Sequence, residues 1–100
     1  MLFLFACCIS FAVTAQTYDF SKVPGVVIDH SPASSKIYLG TPSICILPDG
    51  TYVVSHDLFN KNERLVRVFE SKDKGESWKQ IAEMRGFWCG LFMHKDELYI

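Results

Sequence analysis

The sequence predicts an all-β protein, and three observations carry that expectation. No segment sustains the 3.6-residue apolar period of an amphipathic helix. Short runs rich in β-branched and aromatic residues alternate with strong turn signals. The chain also resembles itself when shifted by 47 positions: Ile44, Cys45 and Ile46 fall on Leu91, Phe92 and Met93, Asp49 falls on Asp96, Tyr52 on Tyr99 and Val53 on Ile100. A repeat of roughly 40–50 residues with about four strands in each is the pattern of a propeller blade.

The elements follow in order. "GVVIDH" (25–30) has strand composition, and "SPASSK" (31–36) reads as a polar loop. "PSICIL" (42–47), the turn signal "PDG" (48–50) and "TYVVSH" (51–56) together read as a hairpin. "DLFNKNE" (57–63) is a longer polar connection. "RLVRVFE" (64–70) alternates, with Leu65 and Arg67 on one face and Val66 and Val68 on the other. "WKQIAEM" (78–84) has some helical propensity, but it is short and hemmed in by turns, so it reads as a strand. "FWCGLFM" (87–93) is apolar again, and "HKDE" (94–97) turns into "LYI" (98–100).

Composition bounds the rest. A chain of 100 residues with a formal net charge of −1 holds one small domain at most, and its balanced charge gives no reason to expect a nucleic-acid partner. Residues 1–15, "MLFLFACCISFAVTA", are uncharged, almost wholly apolar and end in small residues. They read as a signal peptide cleaved near Ala15, too short for the roughly 20 residues of a spanning helix. Residues 16–24 read as a leader. The expectation is export, to a periplasmic or extracellular space, with no membrane span after cleavage. Cleavage leaves two cysteines, Cys45 and Cys89, each inside an apolar run and expected as a free thiol rather than a bridge. Two cysteines without a histidine cluster make no metal site, and nothing points to a cofactor.

"SKDKGESW" (71–78) explains itself as a locked reversal. Ser71 and Asp73 can accept hydrogen bonds from backbone N–H groups that a tight turn leaves unpaired. Gly75 can take a positive φ, and Trp78 can fold its ring back beneath the turn. This Ser71-x-Asp73-x-Gly75-x-x-Trp78 pattern resembles the Asp-box, or bacterial neuraminidase repeat, of sialidase-like β-propellers. The stretches "GTPSICILPDGTYVVSHDLF" (40–59) and "FWCGLF" (87–92) are also similar to the N-terminal part of secreted sialidase-like glycoside hydrolases. The resemblance covers about residues 25 to 100. It implies one blade and the start of a second from a propeller of about six, so on the order of 280 residues in all, of which this chain would be an N-terminal piece. Alone, such a piece is expected to be marginal or to aggregate.

Strand parity then sorts the loops. The 48–50 turn and the Asp-box share one rim, which makes Asp49 and Asp73 structural. The opposite rim carries Gly40, Thr41, His56, Asp57, Phe59 and Trp88. Of these, Asp57 is the candidate catalytic carboxyl, able to protonate a leaving glycosidic oxygen. His56, Trp88 and Thr41 are the candidate substrate-binding residues: His56 for a sugar hydroxyl, Trp88 as an apolar platform, although a tryptophan packed between blades is the commoner outcome. Neighbours on a strand point to opposite faces, so His56 and Asp57 are not both expected on one ligand. Arg67 is expected in a salt bridge, and Glu63 with Arg64 as a surface pair. The resemblance also implies an arginine gripping a sugar carboxylate where Gly40 stands, and a second near Phe59. A guanidinium clamp is replaced by neither residue, so the substrate would be a different sugar or activity would be lost. The implied function is an exported exo-acting glycosidase on a glycan, with a non-catalytic glycan- or protein-binding propeller, or a lyase on that scaffold, as alternatives.

Overall fold

The computed structural model describes residues 17–100, so the expected signal peptide lies outside the described residues. Among the described residues the protein is all-β, and no helix is long and apolar enough to cross a membrane. Four strands, β1 (Tyr38–Ile46), β2 (Tyr52–Phe59), β3 (Arg64–Ser71) and β4 (Lys79–Arg85), form an antiparallel sheet in sequence order. A second hairpin pairs β5 (Phe92–His94) with β6 (Glu97–Tyr99).

The central strands carry the core. Val53, Leu58, Val66, Val68 and Phe69 are buried, and Val66 has no exposed surface. Cross-strand partners share a face. One face therefore joins Val53, Ser55, Asp57 and Phe59 of β2 to Arg64, Val66 and Val68 of β3. The other joins His56 and Leu58 to Arg67 and Leu65. The chain after β4 crosses the first face, where Trp88 meets Asp57, and the chain before β1 crosses the second, where Asp29 meets His56.

Several expectations from sequence are corrected. Residues 25–30 form no strand, because they pair with no ladder; Asp29 instead reaches sideways onto the sheet. In the exposed segment read as a leader, the rings of Tyr18 and Phe20 lie 4.2 and 5.1 Å from His30. β1 starts four residues before the apolar run, because its pairing with β2 continues back to Tyr38 across a bulge in the register between Gly40 and Ser43. β2 runs three residues further than expected, through Asp57, Leu58 and Phe59. Within 87–93 only Phe92 and Met93 are in a strand.

The two turns of the 47-residue repeat differ in build. In the first, Leu47 and Thr51 close a loop in which Gly50, at φ 86°, donates to the Leu47 carbonyl at 2.9 Å. In the second, His94 pairs with Glu97 across only Lys95 and Asp96, both left-handed at φ 49° and 62°. Positive φ at both central positions is the mirror-image hairpin turn.

The reversal after β3 is wired as its sequence implies. The Ser71 hydroxyl, in a residue 1% exposed, donates to Asp73 Oδ1 at 2.7 Å and accepts the Gly75 N–H at 2.8 Å. Asp73 Oδ1 also accepts the Ser77 N–H at 2.9 Å, and its Oδ2 accepts the Ser77 hydroxyl. Gly75 takes φ 92°, and the half-buried Trp78 donates its indole N–H to the Gly75 carbonyl at 3.0 Å. The bonds from the Ser77 hydroxyl and amide, then from Ser71, hold the Asp73 carboxyl at about 2 against an ordinary 3.8. Asp73 is thus spent on the turn.

Candidate functional site

Tyr52 pairs with both Ile46 and Ser71, so the β1–β2 turn and the Ser71–Trp78 turn share one end of the sheet. The opposite end collects Tyr38, Phe59, Arg64 and Arg85. Two long-range segments are pinned near it.

The first segment follows β4. The Gly86 N–H donates to the Arg64 carbonyl at 3.2 Å, the Trp88 N–H to Asp57 Oδ2 at 2.7 Å, and the Leu91 N–H to the Ser43 hydroxyl at 3.0 Å. Gly86 is required: a Cβ there would lie 2.8 Å from Cys89 Sγ and 3.0 Å from Val66. Asp57 has no exposed surface. Its Oδ1 and the Ser55 hydroxyl, two residues apart on the same face, are buried without a hydrogen-bond partner among the described residues. Trp88 is left-handed at φ 57° and 76% exposed among the described residues.

Rings continue outward from Trp88. Phe87 stacks on it at 5.2 Å between centroids, Phe59 meets Phe87 edge-on at 5.5 Å, and Tyr38 lies 5.8 Å from Phe59. Arg64 covers Phe87 at 4.8 Å and donates to the backbone carbonyls of Asn60 and Glu63. The expected Glu63–Arg64 side-chain pair is thus replaced by contacts to backbone and ring.

The second segment precedes β1. Asp29 Oδ2 lies 3.0 Å from both His56 Nε2 and Arg67 Nη1, and Arg67 Nε donates to Glu83 Oε2 at 2.8 Å. The hydrogen bond to Glu83 is the main reason the Arg67 guanidinium binds its proton more tightly than usual. His56 stacks on Phe69 at 5.6 Å. A cleft of about 360 Å³ opens beside it, bounded by Ile28, Pro42, Ile44 and Val54.

The structure therefore sorts the candidates. Asp57 and Trp88 come together directly. His56 faces the other side of the sheet, in contact with Asp29, which keeps it off any ligand held by Asp57. Thr41 is exposed in the β1 bulge at φ 51°. Arg67 is in salt bridges, as expected. At Gly40 a Cβ would sit 3.0 Å from the Phe59 ring, so a side chain there would require that ring to shift. Cys45 and Cys89 are free thiols.

Comparison with family models, with curated proteins and with solved structures returns no match. The site therefore rests on its own geometry. Among the described residues, no group of three or more His, Cys, Asp or Glu is placed to hold a metal ion. Sequence reasoning missed Asp29, Ser43 and Phe87. Each acts through a partner 27 to 48 residues away, or 28 for Phe87 on Phe59, and no local pattern marks such a contact.

Proposed function

We propose that this chain supplies one blade and the beginning of the next in an exported sialidase-like β-propeller, and that it acts on terminal sugars of glycans. The observation that carries the reading is the interlocked turn at Ser71, Asp73, Gly75 and Trp78, set at one end of a four-stranded antiparallel sheet. The opposite end is then the rim that faces substrate. It presents the ring run from Tyr38 to Trp88 and, beneath it, the Asp57 carboxylate.

Two observations favour the non-catalytic alternative within this reading. Asp57, the candidate proton donor, has no exposed surface, and one of its oxygens is committed to Trp88. Gly40, where the resemblance implies a carboxylate-gripping arginine, abuts Phe59.

The deciding experiment incubates the full-length protein with a panel of chromogenic glycosides, sialosides included, and with a glycan array. Release of chromophore establishes the hydrolase. Saturable glycan binding without product establishes the binding propeller. Neither result, from folded protein, removes the glycan reading.

A further inference from the structure

We infer that Asp57 is a positioning residue for Trp88, and that the exposed Trp88 indole is a stacking platform for a pyranose ring. The inference rests on the glycan reading above and gives Asp57 a role other than proton donation.

The first support is strain. A bulky residue at positive φ is a backbone outlier that persists only where its surroundings impose it. At Trp88, with φ 57°, the imposing contact is a short hydrogen bond from its N–H to Asp57 Oδ2 at 2.7 Å. The acceptor is a fully buried carboxylate. Burying a carboxylate is costly, and an apolar residue of similar size would serve packing better. What the carboxylate adds is a strong, directed acceptor for one amide.

The second support is what that amide presents. Trp88 is 76% exposed, the largest value among the exposed large apolar side chains of the described residues, and Tyr38, at the far end of the ring run, follows at 64%. Between them Phe59 and Phe87 hold the rings 5.2 to 5.8 Å apart, and Arg64 clamps Phe87 from above. Leu91 is tied to Ser43 three residues on, so the Trp88 segment is fixed on both sides.

The occupant follows from the chemistry. A pyranose offers one apolar C–H face, which suits the electron-rich face of an indole, and a ring of hydroxyls at its edge. The Arg64 guanidinium, held over Phe87 by the Asn60 and Glu63 carbonyls, is the charged group that borders the run.

The test titrates the full-length protein with lactose and with 3′-sialyllactose, following indole fluorescence and calorimetric heat. Asp57→Asn keeps an acceptor oxygen for the Trp88 N–H but has no acid proton to give. It is expected to bind within about twofold of wild type. Trp88→Ala and Asp57→Ala are expected to bind about tenfold more weakly, the scale of one lost aromatic contact. Trp88→Phe is expected to keep the heat and lose the fluorescence change, which assigns the signal to Trp88 rather than Trp78.

Should Asp57→Ala fail to fold, Trp88→Ala and Asp57→Asn decide the matter. The inference is overturned if wild type binds neither sugar or if Trp88→Ala binds as wild type does. It is equally overturned if Asp57→Asn loses binding, or if it keeps binding but loses all glycoside turnover. Turnover separates the two readings. Binding through Trp88 with no product upholds the platform and removes the hydrolase. Product release with an unchanged KM in Trp88→Ala removes the platform alone.

Discussion

The two ends of the four-stranded sheet differ in the reach of the contacts added to their turns. At the Ser71–Trp78 end every hydrogen bond of the turn spans two to four residues. At the Phe59–Arg64 end the β2–β3 turn is also closed locally, with Asn60 Oδ1 accepting the Asn62 and Glu63 N–H groups, but contacts spanning 31 residues from Trp88 to Asp57 and 28 from Phe87 to Phe59 are laid over it. The first end closes on its own, at little cost in chain entropy. The contacts laid over the second end form only when distant segments arrive, and longer loops cost more to close. The comparison teaches where each kind of residue is placed. Side chains that stabilise a reversal are spent locally, whereas the buried Asp57 oxygen without a partner among the described residues lies where the chain is held from afar.

Substitutions at the two ends break or sharpen this contrast, and the largest effect is expected at the far end. Gly86→Val would drive atoms into Val66 and Cys89 and is expected to cost about 3 kcal/mol, the upper range for overpacking. A drop in the urea midpoint at unchanged slope would report it. At the local end, Trp78→Ala removes a half-buried ring from beneath Gly75 and is expected to cost about 2 kcal/mol in the same assay. Ser71→Ala leaves the Gly75 amide without its acceptor, at an expected cost of about 1.5 kcal/mol. Its hydrogen-exchange signature should be confined to residues 71–78, whereas Gly86→Val should loosen both sheet faces. Equal spread from both variants would refute the contrast.

The smallest effect is an acid one. The Asp73 carboxyl is held down to about 2 from an ordinary 3.8, so the turn draws stability from it in full above that ordinary value. The contribution is expected to fade as pH falls from 3.8 toward 2 and to be absent below. Asp73→Asn should flatten the pH dependence of stability in that window, and an unchanged slope would count against the wiring described for Asp73.

What was legible in the sequence follows the same division. The Ser71–Trp78 turn, the alternation of β3 and the hairpin at 48–50 were readable because each is set by neighbouring side chains. The separation of His56 from Asp57 was readable from pleat alone. Residues 25–30 were misread as a strand because composition says what a segment prefers, not whether a ladder partner stands beside it. β1 was read as beginning at Pro42 because the apolar run begins there, whereas its pairing runs back to Tyr38 across the register shift between Gly40 and Ser43. For Trp88, packing between blades was the commoner expectation, and nothing local in the sequence announces that its backbone N–H bonds a carboxylate 31 residues away.

The tip between β5 and β6 leaves room for improvement by design. Its two central positions demand a handedness that Lys95 and Asp96 adopt at some expense, whereas asparagine followed by glycine adopts it readily. Lys95→Asn with Asp96→Gly should therefore raise the melting temperature of that hairpin without touching any other contact described. A thermal-shift assay on the double variant would show whether a bend with two left-handed non-glycine residues is readily repaired.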